Sequence, residues 1–445
     1  MISDNNKIKV GLVSLGCDKN RVDSEKLLAE ISKQYDVTSS ADAADVLVIN
    51  TCAFLAASRK EAVESVIDYS ALKKTGKLKK IIVTGCLPQK FVGEMFDEFT
   101  EADGFLGTFD GSLINSVILR TLRGERVNAV GLGEPLGRNR ILTTPQHYAY
   151  LKIADGCDNR CTYCLIPKIR GRFVSEPIEN VIEEARSLCD TEEIVLVAQD
   201  VTRYGEDLYG KPSLTRLLRE LSALENVKKI RLLYCYPELI SDELIDEIAS
   251  NDKIVKYLDV PFQHASDRIL KLMNRRGTNA DYLSLVKKLK ERIKGVAIRS
   301  TFIAGFPTET EEDFEILKDF ILKAELFNAG FFAYSKEPDT PAFKLKGHLP
   351  QRIKRQRVKE LYALQKTVVE KNMSAFVGKT IEVVCDGVDY NKQKFFGRAY
   401  FNAPDIDGLV YLSGEGVIEQ GKRYAVRIEK YLGYDLYGVI ENELT

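Results

Sequence analysis

Cys157, Cys161 and Cys164 stand in one short segment, Gly156-Cys157-Asp158-Asn159-Arg160-Cys161-Thr162-Tyr163-Cys164. A CxxxCxxC triplet supplies three soft thiolates, where a closed structural zinc site takes four ligands. A [4Fe–4S] cluster held by only three cysteines keeps one iron open to a substrate or cofactor. The spacing therefore predicts an iron–sulfur cluster with one open corner; a zinc knuckle is the plainer alternative.

A second set of thiols is dispersed along the chain. Cys17, Cys52 and Cys86 each follow a short apolar run, over residues 8–14, 45–50 and 80–84. They recur about one strand–helix unit apart. Such runs, alternating with helical stretches, predict a parallel α/β sheet. Right-handed crossovers put the carboxyl ends of its strands on one edge, where open α/β folds bind ligands. Three cysteines at the same place in successive units predict a second three-cysteine cluster with an open iron. Three buried structural cysteines are the alternative.

The bulk numbers agree with cluster chemistry and exclude other classes. A chain of 445 residues is too long for one core and predicts two to four domains. With 44% hydrophobic and 29% charged residues it is globular, and a net charge of −1 gives no global field toward nucleic acid or membrane. The amino-terminal residues lack a signal-peptide pattern, and no apolar run is long enough to span a bilayer. A cytoplasmic location is expected, where thiols stay reduced and cysteine clusters serve metals or catalysis. Cys189, Cys235 and Cys385 have no triplet partners and are expected to be structural.

The elements that must position these residues fall into three blocks. Residues 1–137 form the N-terminal parallel α/β domain, with a helix burying Val22, Leu27, Leu28 and Ile31 after the first strand, and a second helix through Ala62 and Val66. Residues 123–147 are linker-like; Gly131 to Gly137 lacks the strand-to-helix setting of a nucleotide loop and is assigned to turns. Residues 138–372, with this linker and a trailing helix, carry strands at 149–153, 193–198, 229–234, 256–260, 297–303 and 329–334. Helices such as Ile178 to Cys189 and Ala280 to Ile293 lie between them, so a partial (β/α)6 barrel is predicted, with its chemistry at the strand carboxyl ends. Cys157 falls just past the first of these strands. The helix over 350–372 is basic, and its Arg352, Lys354, Arg355, Arg357 and Lys359 are expected on a solvated face. Residues 373–445 hold short β-like runs at 380–384, 395–400, 409–412 and 424–428, predicting a small antiparallel β-barrel.

The CxxxCxxC segment, with an aromatic before its last cysteine, resembles the radical S-adenosylmethionine (SAM) superfamily. Both triplets, in this order and followed by a β-module, make nearly the whole chain similar to the radical-SAM methylthiotransferases, which end in a TRAM domain. Ser14 to Glu25, Gly85-Cys86-Leu87-Pro88-Gln89 and Pro261-Phe262-Gln263-His264-Ala265-Ser266 resemble the RimO branch. Asp18 stands where proline is frequent in that branch. The resemblance implies two [4Fe–4S] clusters and SAM as cofactors. Cys157, Cys161 and Cys164 would be catalytic, holding the cluster that cleaves SAM to a 5′-deoxyadenosyl radical. That radical would take hydrogen from the β-carbon of an aspartate in ribosomal protein S twelve, a centre too weakly acidic for an ordinary base. Cys17, Cys52 and Cys86 would hold the auxiliary cluster that carries the sulfur to be methylated and transferred.

The resemblance also implies residues around SAM. Tyr163 is expected near the adenine, with an aromatic core position as the alternative. Gln199 and Asp200 end the second barrel strand and are expected to contact SAM. Arg299 is expected to pair with its carboxylate through a bidentate fork, or else to form a strand-edge salt bridge. His264 is expected to hydrogen-bond a loop. Expected partners are ribosomal protein S twelve, free or on the small subunit, and a reducing electron-transfer protein, with no membrane partner. The stretch from Ala375 to the end has eight basic and eleven acidic residues, which suits a cationic protein better than transfer RNA. Two alternatives stand beside this reading: methylthiolation of a transfer-RNA adenosine by the same family, and a non-catalytic metal-binding adaptor for ribosomes.

Overall fold

A computed structural model of the protein describes residues 7–188 and 191–444. Its first sheet grows from apolar runs too short for helices. Strand β1 (Lys9–Ser14), β2 (Asp36–Thr38), β3 (Val46–Thr51), β4 (Lys80–Gly85), β5 (Gly104–Phe105) and β6 (Val127–Asn128) lie in the order β2-β1-β3-β4-β5-β6, every pairing parallel. Central β3 is buried at all six positions, as a strand covered by helices on both faces must be. Helices α1 (Asp18–Ile31), α2 (Ala56–Lys74) and α3 (Cys86–Glu98) follow β1, β3 and β4. On α1, Leu27 and Ile31 join the core of this sheet, whereas Val22 packs with the later domains. The linker-like stretch contributes more than expected. Its β6 completes the sheet, and Asp110 accepts from the backbone N–H groups of Gly131 and Gly133 at 2.8 and 2.9 Å.

The second sheet holds six parallel strands: β7 (Tyr148–Lys152), β10 (Glu193–Val197), β11 (Lys229–Leu232), β12 (Ile254–Asp259), β13 (Ala297–Ala304) and β14 (Asn328–Ala333). It is open, in the order β14-β13-β12-β11-β10-β7. A two-stranded ribbon, β8 (Ala154–Asp155) with β9 (Val174–Ser175), frames the CxxxCxxC loop. Strand alternation sorts the core. Ala149, Leu151, Ile194 and Leu196 face the helical layer, while Tyr148, Tyr150, Val195, Val197 and Tyr257 face the carboxyl-terminal module.

That module is a closed barrel of β15 (Thr380–Asp389), β16 (Lys394–Arg398), β17 (Val410–Ser413), β18 (Arg423–Leu432) and β19 (Asp435–Leu444), ordered β15-β16-β17-β19-β18. All pairings are antiparallel except β17 with β19. The last strand has no counterpart in the sequence-based expectation, because its glutamates and asparagine interrupt the apolar alternation. The basic helix runs from Gln351 to Ser374. Its expected solvated face is only partly solvated: Lys354 and Arg357 are buried. Arg357 is held by Glu309 at 2.6 Å and Glu311 at 2.9 Å, so its charge is compensated.

A buried charge network locks this module to the parallel sheet. Arg398 donates to Glu193 at 3.0 Å and Asp386 at 2.8 Å; His147 shares a 2.6 Å bond with Asp386; Arg231 pairs with Glu193 and donates to the Tyr400 carbonyl at 2.7 Å. Burial would raise the Glu193 carboxyl, but Arg231 and Arg398 outweigh it and bring it down to about 2. Replacing Arg398 by methionine leaves two buried carboxylates short of a cation. We expect a loss of about 3–5 kcal/mol, read as a lower unfolding midpoint with retained iron binding.

Candidate functional site

The carboxyl edge of the first sheet gathers three thiols. Cys17 is the N-cap residue of α1, Cys86 is the first residue of α3, and Cys52 ends the β3 turn just before α2. Two of these thiols therefore sit directly at helix amino termini, whose exposed N–H groups favour negative charge. Gly85 makes the β4 turn possible: its φ is +94°, and a Cβ there would lie 2.2 Å from Asn50 Oδ1. The Cys17 and Cys86 thiols both point at Asn20 Oδ1, each at 3.8 Å.

The CxxxCxxC loop is fastened on several sides. Gly156 begins it at φ +71°, where a Cβ would meet the Arg172 carbonyl at 2.0 Å. Asn159 donates to Asp200 at 2.9 Å and accepts from Arg203 at 2.9 Å. Thr162 donates to the carbonyls of Leu272 and Met273. The Ile166 N–H points at Cys164 Sγ at 3.4 Å. The two thiol sets are neighbours, since Leu165 and Ile169, directly after Cys164, share a hydrophobic cluster with Cys86.

Tyr163 lies beside Cys161, where burial above all raises its phenol. Gln199 donates to Asp155 at 3.0 Å and leaves a buried Oε1 without a partner. Asp200 is fully buried and accepts from Thr202 at 2.6 Å as well as from Asn159; burial raises its carboxyl despite those bonds. Arg299 donates to Asp259 at 2.8 Å and lies 3.6 Å from Asp407 of the carboxyl-terminal module. His264 accepts the Ser266 N–H at 2.9 Å and lies 3.4 Å from Glu309. Cys235 and Cys385 are buried and free, and Cys189 lies outside the described residues.

Several residues at the site escape a reading of the sequence. Arg170 binds Asp155, Asp23 and Asn20, and Lys152 bridges the same two aspartates. Lys152 and Arg170 overcome the burial that would raise the Asp155 carboxyl and hold it well below the usual range. A cavity of about 330 Å³ opens beside this quartet, lined in part by Asp23, Lys26, Asn50, Gly85, Lys152 and Asp155. Arg275 is buried by Cys161 and Tyr163, with its guanidinium 4.0 Å from the Tyr236 ring centroid and its Nε unpartnered. Glu337, also buried, caps the Ala56 N–H of α2 at 2.9 Å and pairs with Arg59 at 2.7 Å, joining the two sheets. The Arg170-Gly171 pair closing the cysteine loop is the one local hint of this network.

The surroundings discriminate between metal groups. Among the described residues no set of three or more His, Cys, Asp and Glu is disposed to hold a single metal ion, and each triplet offers three thiols where a closed zinc site takes four ligands. An iron–sulfur cube fits the donor set better. All described cysteines are free of disulfides. Buried polar atoms without a hydrogen-bond partner include Gln199 Oε1, on a side chain bound to Asp155, Arg275 Nε, on a side chain beside Cys161, and Asn50 Oδ1, close to Gly85.

Burial raises these thiols: Cys86 to about 12, Cys157 to about 11, and Cys52 and Cys164 upward as well. Without metal they stay protonated, and loading must release their protons. An unfolded cysteine ionises near pH 9, whereas the fold keeps Cys86 neutral until about 12. This contribution to stability is present in full below pH 9 and is lost as pH rises toward 12. Thermal melts of metal-free protein should show a midpoint falling through that window, less steeply in Cys86→Ser.

Comparison with known proteins bears on this arrangement. Three family models match: the radical SAM superfamily over residues 151–321, the uncharacterized protein family UPF0004 over 9–107 and the TRAM domain over 377–440. The chain is 44% identical over 443 residues to the ribosomal protein uS12 methylthiotransferase RimO of Clostridium botulinum (strain Eklund 17B / Type B), covering 98% of this chain and 99% of that one. It is 42% identical over 440 residues to the protein of the same name from Lachnoclostridium phytofermentans, covering 98% and 100%. Among solved structures, the radical S-adenosylmethionine methyltransferase TsrM of Kitasatospora setae, with cobalamin and a [4Fe-4S] cluster bound, superposes with a TM-score of 0.54 at 15% identity, covering 76% and 77%. The cobalamin-dependent radical enzyme OxsB gives 0.52 at 12% identity, covering 82% and 56%. At such identities these structures bear on the fold alone. No described helix is long and apolar enough to cross a membrane.

Proposed function

The chain belongs to the RimO family of ribosomal protein uS12 methylthiotransferases, and from that premise we propose that it adds a methylthio group to the β-carbon of an aspartate in that ribosomal protein. The carrying observation is near-full-length similarity to proteins of that name; it is supported by the packing of Leu165 and Ile169, which follow Cys164, against Cys86. In this reading Cys157, Cys161 and Cys164 hold one [4Fe–4S] cluster and Cys17, Cys52 and Cys86 the other. The bound clusters and SAM supply a 5′-deoxyadenosyl radical and a site for the sulfur.

The chain's own residues do the rest. Asp200 and Arg203 grip Asn159, fixing the cysteine loop against the sheet edge. Gln199 offers a buried acceptor to an ammonium group, and Tyr163 offers a ring beside Cys161. Asp200 accepts from Thr202 and Asn159, and Arg299 Nη1 donates to Asp259, so both hold strand ends and loop at the edge where they are expected to contact SAM. Arg275, buried without a carboxylate partner, balances negative charge near Cys161. The enzyme works in the cytoplasm and receives electrons from a reducing electron-transfer protein.

The test is anaerobic incubation of reconstituted enzyme with uS12, SAM and a reductant. We expect 5′-deoxyadenosine and one methylthio group on a single uS12 aspartate, located by mass spectrometry. Modification of a transfer-RNA adenosine instead would assign the tRNA activity. A fully loaded protein that makes no 5′-deoxyadenosine would leave only the adaptor reading.

A further inference from the structure

One side chain joins the two three-cysteine sites. Arg170 directly follows the short helix Ile166–Ile169 after Cys164, and the carbonyl of its neighbour Gly171 accepts the Cys157 N–H at 3.2 Å. The residue is thus fixed by both ends of the CxxxCxxC loop. Its side chain, 4% exposed as a residue, leaves that loop for the other domain. Nη1 donates to Asp155 Oδ2 at 2.7 Å; Nη2 donates to Asp23 Oδ2 at 2.9 Å and Asn20 Oδ1 at 2.7 Å. Asn20 Oδ1 is the same atom that both the Cys17 and Cys86 thiols face. The Asn20 amide nitrogen donates to the Thr51 carbonyl, adjacent to Cys52, at 3.0 Å, and to the Leu15 carbonyl at 3.3 Å. Through one amide, a guanidinium anchored on the first loop reaches all three turns that bear the second set of thiols.

We propose that Arg170 is a positioning residue that holds the Cys17–Cys52–Cys86 cluster in register with the Cys157–Cys161–Cys164 cluster and, by its charge, favours the reduced form of the former. The proposal rests on the two-cluster reading above. A planar fork with donors fixed in direction can bind both domains at once, which a lysine ammonium cannot do with the same geometry. Adding an electron to a cluster already bound by thiolates increases its negative charge, and neighbouring cations and hydrogen bonds tune that step. Arg170 and Lys152 balance Asp23 and Asp155. Loss of the guanidinium therefore leaves one negative charge in excess beside the cluster.

The test uses the full chain carrying Cys157→Ala, Cys161→Ala and Cys164→Ala, so that only the auxiliary cluster loads, titrated against titanium(III) citrate and followed by electron paramagnetic resonance. Arg170→Met should shift the midpoint potential negative, and adding Asp23→Asn, which restores the charge balance, should return it toward the parent. In the six-cysteine protein, Arg170→Lys should keep the potential but weaken the magnetic coupling between the two reduced clusters. An unshifted potential in Arg170→Met at parental iron and sulfide content overturns the charge role, and unchanged coupling in Arg170→Lys overturns the positioning role. If Arg170→Met fails to load, Asp23→Asn alone decides the charge role, a positive shift supporting it and an unshifted potential overturning it, while the lysine variant decides the positioning role. A parent that binds no auxiliary cluster overturns the two-cluster reading itself.

Discussion

Replacing Cys161 by alanine is expected to abolish reductive cleavage of SAM, lowering 5′-deoxyadenosine formation on the order of a thousandfold or more, about 4 kcal/mol of lost transition-state stabilisation. Three thiolates are the fewest that hold a cube with one open iron. Cys161 is central in its triplet and lies against Tyr163 and Arg275. Two remaining thiolates leave a second iron without a protein ligand, and the cluster is lost or assembles wrongly. Iron per chain after anaerobic reconstitution should fall from about eight to about four, because the other triplet sits on a different sheet with its own turns. The measurement is chromatographic 5′-deoxyadenosine with parallel iron and sulfide assays. Cleavage near the parental rate would remove the triplet from the chemistry.

The second large effect has the opposite signature. Substituting Cys17, Cys52 and Cys86 together by alanine should leave 5′-deoxyadenosine formation within a few-fold of the parent while methylthio transfer to uS12 falls below detection. Iron again drops to about four per chain. The dissociation follows from the layout. In the proposed reading the radical source is the loop between β8 and β9, which is fastened by Asp200, Leu272 and Met273. The auxiliary thiols hang from the turns after β1, β3 and β4. Each site folds on its own sheet, so losing one set removes its chemistry without dismantling the other. Joint loss of both activities at preserved secondary structure would show that the sites are interdependent in assembly, with Arg170 as the first residue to suspect.

Much of this architecture is visible in local pattern. The three β–turn–cysteine units announce themselves because buried parallel strands need unbroken apolar runs, and the thiols follow at the same offset each time. The six strands of the central sheet are found for the same reason. The last strand, Asp435–Leu444, is hidden by its own composition: it pairs with both β17 and β18, so backbone bonding rather than side-chain alternation holds it. Lys354 and Arg357 mislead in the other direction, since a basic run is normally solvated; Glu309 and Glu311 make the burial of Arg357 tolerable, and the Tyr334 carbonyl, 3.1 Å from the Lys354 ammonium, that of Lys354.

What the chain determines by itself is the kind of chemistry: thiolate spacing of a few residues is a local property, and it selects an incompletely ligated iron–sulfur site with no knowledge of the fold. Only the tertiary structure decides which distant charges surround that site. Arg170 and Asn20 are 150 positions apart, and Arg299 meets Asp407 across two modules. No periodicity encodes such meetings. They arise because a buried guanidinium must find carboxylates and amide oxygens wherever packing of the sheets brings them, and that is settled by long-range burial rather than by neighbours in sequence.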